Sequence, residues 1–104
     1  MNQNEMSIVE LITHAGDAKS KYMEAMRKIR RKGFDEAKEL VREADEIILK
    51  AHVIQTNLIQ GELQGNETQQ SLLMIHAQDH LMTTLMLKDI TKELIEIFRE
   101  DYHG

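Results

Sequence analysis

The most restrictive feature of this 104-residue chain is that it contains no proline. Because proline breaks helices, its absence from a chain rich in Ala, Leu, Glu, Lys and Met favours long, uninterrupted helices. Glycines punctuate the sequence at Gly33 and in the segment GELQG, Gly61 to Gly65. Two short breaks between segments of similar length predict an all-α fold, an antiparallel three-helix up-down-up bundle that forms one domain over residues 1–104.

Composition narrows the classes of function. The formal net charge of −5 at pH 7 argues against nucleic acid as the main partner, because phosphate binding usually needs a basic face. The chain has no cysteine, which excludes disulfides, thiolate chemistry and cysteine-ligated zinc. No apolar run approaches the roughly 20 residues of a membrane span, and the N-terminus lacks a signal-peptide pattern. We therefore expect a soluble, cytoplasmic protein.

Capping residues predict where the helices begin and end. Ser7 and Glu10 are spaced as a capping box at the start of the first helix, and Gly33 is suited to the left-handed conformation that ends it. We expect the second helix to end at Gly61. Asn66 is a candidate N-cap for the third helix.

Apolar residues recur at helical spacing in the first two segments, as expected for the buried face of each helix. In the first segment this face comprises Ile8, Leu11, Ala15, Ala18, Tyr22, Ala25 and Ile29. In the second it comprises Phe34, Ala37, Val41, Ala44, Ile48, Ala51, Gln55 and Leu58. Gln55 is the polar member of an otherwise apolar face.

The third helix, expected from about residue 67 to about residue 99, is apolar on two sides. At ~100° per residue, one side comprises Leu72, Ile75, Asp79, Thr83, Met86, Ile90, Leu94 and Ile97. The opposite side carries Met74, Leu81 and Leu85. A helix in an isolated three-helix bundle keeps its outer face polar, so the second apolar side predicts self-association through the third helix.

The segment MIHAQDHLM, Met74 to Met82, places polar residues inside this apolar pattern. His76, Asp79 and His80 are related by spacings of three and four, so they lie within reach of one another on a helix. Asp79 sits near the centre of one apolar side, where an unpaired buried carboxylate would be costly. Packing against symmetry copies would bring several such carboxylates together and favour a cation with oxygen ligands.

The residues alone leave other interpretations open. A histidine on an apolar face is most often a hydrogen-bonded core or boundary residue, and we expect this of His14. The trio could also bind zinc, although zinc usually takes more ligands. The pattern is therefore also compatible with a non-catalytic oligomeric adaptor or a small metal-binding bundle.

The sequence LLMIHAQDHLMTTLMLKDI, Leu72 to Ile90, closely resembles the active-site helix of the IIA component of the lactose/cellobiose class of phosphoenolpyruvate-dependent sugar phosphotransferase systems. HAGDAKSKYMEAM and KGFDEAK resemble the first helix and turn of that family, and KAHVIQTNLIQGE resembles the end of its second helix. The resemblance extends over nearly the whole chain. It implies a homotrimer of three-helix subunits, which would also explain the two-sided third helix.

The resemblance implies roles for two residues in particular. His76 falls on the histidine that is phosphorylated in the family, at Nε2. Asp79 falls on the aspartate that three subunits share to coordinate a divalent cation, which we expect to be Mg²⁺, at the trimer axis. No organic cofactor is implied.

Four further residues match the family near this site. Gln78 and His80 match positions beside the phosphorylated histidine, and we expect them to support it. His52 and Gln55 also match and are possible neighbours of the site.

The implied chemistry suits an imidazole. With an unperturbed pKa of about 6.5, histidine is substantially neutral at cytosolic pH, so one ring nitrogen has a free lone pair. That nitrogen can attack phosphorus and form a labile phosphohistidine. By resemblance the donor is the phosphocarrier protein HPr, the acceptor is a cysteine of the cognate IIB component, and association with the membrane IIC component is indirect.

Overall fold

The computed structural model describes residues 1–65 and 72–103, with side chains up to Arg99. These residues form α1 (Gln3–Arg30), α2 (Phe34–Leu63) and α3 (Leu72–His103), with no strand among them. The predicted all-helical fold of three segments is therefore confirmed. The third helix continues to His103, although the sequence predicted an end near Arg99.

The predicted start of α1 was wrong. The helix begins at Gln3 and is capped by Asn2, whose side-chain oxygen accepts a hydrogen bond from the Glu5 backbone N–H at 2.8 Å. Because Asn2 already satisfies one of the first free N–H groups, the helix does not need the Ser7 cap. Ser7 lies inside the first turns of α1.

The turn between α1 and α2 uses a different residue from the one predicted. Lys32 takes the left-handed conformation, with φ 64°, whereas Gly33 has φ −85° and is the N-cap of α2. The Gly33 N–H donates to the Lys28 carbonyl oxygen at 2.8 Å, and the Lys32 N–H donates to the Ile29 carbonyl oxygen at 2.9 Å. These two bonds close a Schellman motif, in which the left-handed position is one residue earlier than Gly33.

The second helix ends two residues later than predicted, at Leu63 instead of Gly61. Gly61 lies inside α2, which continues to Leu63, and Gly65 has the positive φ of 91°. The predicted N-cap Asn66 and the beginning of the third helix near residue 67 lie outside the described residues.

The predicted core faces of α1 and α2 are buried. All seven residues predicted for α1 are buried, and of the eight predicted for α2 only Phe34 and Gln55 are half-buried. Among the side chains of α3 up to Arg99, those of Ala77, Leu81, Thr84, Thr91 and Ile95 are buried. Many of the buried residues are alanine, which lets the helices approach closely. The buried Thr91 satisfies its hydroxyl within α3, by donating to the Leu87 carbonyl oxygen at 2.7 Å.

One hydrogen-bond network joins the three helices. The hydroxyl of the fully buried Tyr22 in α1 donates to Asp45 Oδ1 in α2 at 2.6 Å. The other carboxylate oxygen, Oδ2, forms an ion pair with Lys92 Nζ in α3 at 2.9 Å. Burial, followed by the hydrogen bond to Asp45, raises the pKa of the Tyr22 phenol well above its ordinary value of 10. Tyr22 therefore remains a neutral donor at physiological pH.

Of the two apolar sides predicted for α3, the one that contains Leu72 and Ile75 faces outward. Apolar side chains on this side are between 46% and 85% exposed in the single chain; they are Leu72, Ile75, Met82, Met86, Ile90 and Ile97. We call these six residues the outer stripe of α3. Asp79 and Thr83 are exposed on the same side, whereas Leu94, which the sequence placed with them, is half-buried.

We expect Tyr22→Phe to lower the free energy of unfolding by about 1.5 to 3 kcal/mol, the usual contribution of a hydrogen bond to a charged group. The loss should be largest below pH ~10 and should shrink at higher pH, because a phenol whose pKa is raised by folding stabilises the fold only while it is protonated. Chemical denaturation at fixed chain concentration measures both effects.

Lys92→Met is the matched control for the same network. It removes the ion pair to Asp45, which is partly exposed to solvent, with side-chain exposures of 45% and 31%. We expect a loss of less than about 1 kcal/mol. An equal or larger loss for Lys92→Met would show that the ion pair, and not the phenol, holds the network together.

Candidate functional site

The segment from His76 to His80 directs its side chains to different sides of α3, because successive residues of a helix turn by ~100°. His76 is exposed and His80 is half-buried. Their ring centroids are 4.8 Å apart and the rings are nearly perpendicular, at 89°. The predicted proximity of the two histidines is thus present in one chain, and the ring of His76 is accessible to a docking partner.

His80 also borders a groove that the sequence did not predict. The other lining residues, spaced along one face of α1, are Gly16, Lys19, Ser20, Met23 and Arg27. Their spacing of three and four residues was visible in the sequence, but nothing local indicated that this face of α1 lies beside His80. The two histidines therefore occupy the flank of α3 that faces α1.

Asp79 lies on the outer side of α3, away from the core. It is exposed, and within the described parts of the chain its carboxylate has no ion-pair or hydrogen-bond partner. The Thr83 hydroxyl donates to the Asp79 backbone carbonyl at 2.7 Å and leaves the carboxylate free. Among residues 1–65 and 72–99, no three His, Asp or Glu side chains come together as a metal site, so a single chain offers this carboxylate alone.

Gln78 lies on the opposite flank of α3, which faces α2. Gln55 Nε2 donates to Gln78 Oε1 at 2.6 Å, and both side chains are partly buried. Gln55, the polar member of the buried face of α2, is therefore explained by a hydrogen bond to the segment of α3 that contains the two histidines. Because the two residues are 23 positions apart, this pairing depends on tertiary structure.

His52 is exposed on α2 and lies seven residues after Asp45, which contacts α3 through Lys92. Two helical turns separate the two positions, so His52 is on the same flank of α2 as Asp45. In one chain, His76 and His80 thus lie on the flank of α3 that faces α1. Gln78 lies on the opposite flank, beside the face of α2 that carries Gln55 and His52. These five residues therefore form two groups, one on each side of α3.

Within the described residues, no helix combines the length and the apolar character that crossing a bilayer requires. The exposed His76 and the half-buried His80 offer nitrogen nucleophiles and hydrogen-bond donors near the surface. This arrangement suits a reversible transfer reaction with a docking protein better than the binding of a small substrate, because the ring of His76 is exposed.

Comparison with known proteins gives a consistent result. Residues 6–99 match the sequence model of the family described as PTS system, lactose/cellobiose-specific IIA subunit. A lactose-specific EIIA component from Staphylococcus epidermidis is 47% identical over 102 residues, which cover 96% of this chain and 98% of that protein.

Two solved structures show the same fold. The crystal structure of a cellobiose-specific enzyme IIA from Bacillus anthracis superposes with a TM-score of 0.95, at 38% identity, over 100% of this chain and 95% of that one. The IIA component for N,N'-diacetylchitobiose of Escherichia coli, solved in complex with HPr, superposes with a TM-score of 0.81, at 30% identity, over 96% and 97% of the two chains. The chain belongs to the lactose/cellobiose-specific IIA subunit family of the sugar phosphotransferase system.

Proposed function

We propose that this protein is a cytoplasmic phosphoryl carrier, which accepts a phosphoryl group from phospho-HPr on His76 and passes it to a cysteine of the cognate IIB component during sugar uptake. The observation that carries this proposal is the exposed ring of His76 on the helix that matches the family. Support for HPr as the donor comes from the related chitobiose IIA component, which was solved in complex with HPr.

The transfer needs only a neutral imidazole and correct positioning. In the first step the Nε2 lone pair of His76 attacks phosphorus, the Nε2–P bond forms, and the donor nitrogen leaves with the electron pair of its own N–P bond. Nδ1 keeps its proton. In the second step a cysteine thiolate attacks the same phosphorus, the S–P bond forms, and the Nε2–P electron pair returns to His76. Its neutral imidazole is thereby regenerated.

The outer stripe of α3 supports a homotrimer. Two contacts support the predicted up-down-up order, because Gln55 with Gln78 and Asp45 with Lys92 pair α2 with α3 in opposite directions. In such a chain α3 is an outer element with one face on the core, and its outer stripe leaves six large apolar side chains in water. A threefold cluster of parallel α3 helices would bury the stripe around a symmetry axis.

Asp79 fits a cation at that axis. It interrupts the outer stripe with a carboxylate that has no partner among the described residues. Three such carboxylates meeting at one point would repel one another, and a hard divalent cation such as Mg²⁺, with oxygen ligands, would offset that repulsion. The cation would supply charge neutralisation and hold the subunits together. His76 lies on the α1 side of Asp79, and its reaction needs no metal ligand.

The same assembly would combine the two groups of site residues. When Asp79 faces the axis, His76 and His80 are turned to one side and Gln78 to the other, at ~100° per residue. In a ring of identical helices, one side of each subunit meets the other side of the next. His76 and His80 of one subunit would then face Gln78, Gln55 and His52 of its neighbour. His80 would orient the reacting ring, and Gln78 would donate to the phosphoryl group.

We expect the protein to gain one phosphate per chain when it is incubated with HPr, enzyme I and phosphoenolpyruvate. The phosphate should be stable at alkaline pH and labile in acid, as an N–P bond is. Intact-mass analysis at alkaline pH should show the added phosphate in the wild type and in His80→Ala, and its loss in His76→Ala.

Two outcomes of this labelling would change the proposal. Phosphate on His80 would move the reacting nitrogen while preserving the reaction. A wild-type chain that remains unlabelled would favour a non-catalytic helical adaptor, in which the outer stripe serves assembly alone.

We expect Asp79→Leu to abolish binding of divalent cations while the trimer persists or becomes more stable, because an apolar residue would replace three carboxylates on the axis. Asp89→Leu, which removes an exposed carboxylate elsewhere on α3, should leave cation binding intact. Native mass spectrometry with and without a chelator measures both. Dissociation of Asp79→Leu into monomers would show that the trimer depends on cation-bridged carboxylates.

Mixed trimers test whether neighbouring subunits share one site. Homotrimers of His76→Ala should accept no phosphate, and homotrimers of Gln78→Leu should accept it about tenfold more slowly than the wild type. Mixing the two should restore faster labelling of the Gln78→Leu chains, because some of their histidines then face an intact Gln78. Labelling at the slow homotrimer rate in the mixture would place Gln78 outside the site.

A further inference from the structure

The hydrogen bond between Gln55 and Gln78 determines which end of the Gln78 amide faces outward. Gln55 Nε2 donates to Gln78 Oε1 at 2.6 Å, so the carbonyl end of Gln78 is directed to α2. A carboxamide carries its NH₂ group on the other side of the same planar carbon. The two N–H donors of Gln78 are therefore turned away from Gln55.

The opposite arrangement of this pair would have the opposite chemical effect. If Gln78 instead donated to Gln55, its carbonyl oxygen would face outward. An outward oxygen repels a phosphoryl group, which carries about two negative charges, whereas outward N–H groups hydrogen-bond to it. Both side chains are partly buried, so each is confined to a small number of arrangements.

We infer that Gln55 is a positioning residue, which holds the amide of Gln78 with its N–H donors facing the phosphoryl group on His76 of the neighbouring subunit. The inference rests on the proposed function, because the threefold assembly brings the α2 flank of one subunit to the His76 flank of the next. Neutral donors of fixed direction stabilise a transferring phosphoryl group without reorganisation at the moment of transfer. This matters in a chain whose formal net charge is already −5.

Gln55→Glu separates the direction of this hydrogen bond from its existence. A carboxylate only accepts, so Gln78 must turn its NH₂ group to residue 55 and present its carbonyl oxygen outward. The hydrogen bond, the helix packing and the trimer should persist. We expect the rate of labelling by phospho-HPr to fall about tenfold or more, with the phosphate still on His76.

Asn57→Asp is the matched control. It makes the same amide-to-carboxylate change two residues away, at an exposed position of α2 that is turned by ~200° from Gln55. Labelling of this variant should proceed at a rate within about twofold of the wild type. If both variants slow equally, added charge alone accounts for the loss and the positioning role is wrong.

A spectroscopic measurement on the wild type does not depend on how the variants fold. The side-chain NH₂ resonances of Gln78 should shift when His76 is phosphorylated, and those of Gln60, which is exposed at the end of α2, should not. Unchanged Gln78 resonances in a fully phosphorylated protein would overturn the inference. That result leaves the carrier function intact, whereas a wild-type chain that never accepts phosphate would overturn both.

Discussion

The fold depends on α3, a helix with two apolar faces, of which only one is buried within the chain. Its inner face completes a core built largely from alanine and aliphatic residues, and its outer stripe leaves six large side chains in water when the chain is alone. Burial of such a stripe is worth about 25 cal/mol per Å² of apolar surface, so covering it in the proposed trimer would be favourable. In that assembly the segment from His76 to His80, near the middle of the stripe, would lie next to a subunit contact.

The geometry of the candidate site follows from the pitch of one helix. Gln78, Asp79 and His80 are consecutive, yet each is directed to a different side of α3 because each residue adds ~100°. One turn of helix thus reaches the α2 flank, the outer stripe and the α1 flank. The ion-paired and hydrogen-bonded network of Tyr22, Asp45 and Lys92 holds the three helices in register, so that these directions are fixed relative to the rest of the chain.

The sequence was most informative where a feature depends on periodicity. The buried face of α1 was predicted residue by residue, and the contact between His76 and His80 follows from their spacing of four. Prediction was weaker where hydrogen bonds choose between adjacent residues. Asn2 caps α1 upstream of Ser7, and Lys32 adopts the left-handed conformation expected of Gly33. The bond between Gln55 and Gln78 was beyond local reasoning, because only packing brings α2 to α3.

The separation of His80 and Gln78 onto opposite flanks also has a stoichiometric consequence. If neighbours complete each other's sites, a pair of subunits contains one finished site and leaves one histidine flank and one glutamine flank open. Closing the ring with a third subunit adds two finished sites in a single step. The total number of finished sites would then rise more steeply than the protein concentration, so assembly itself would limit how much phosphate the protein could carry.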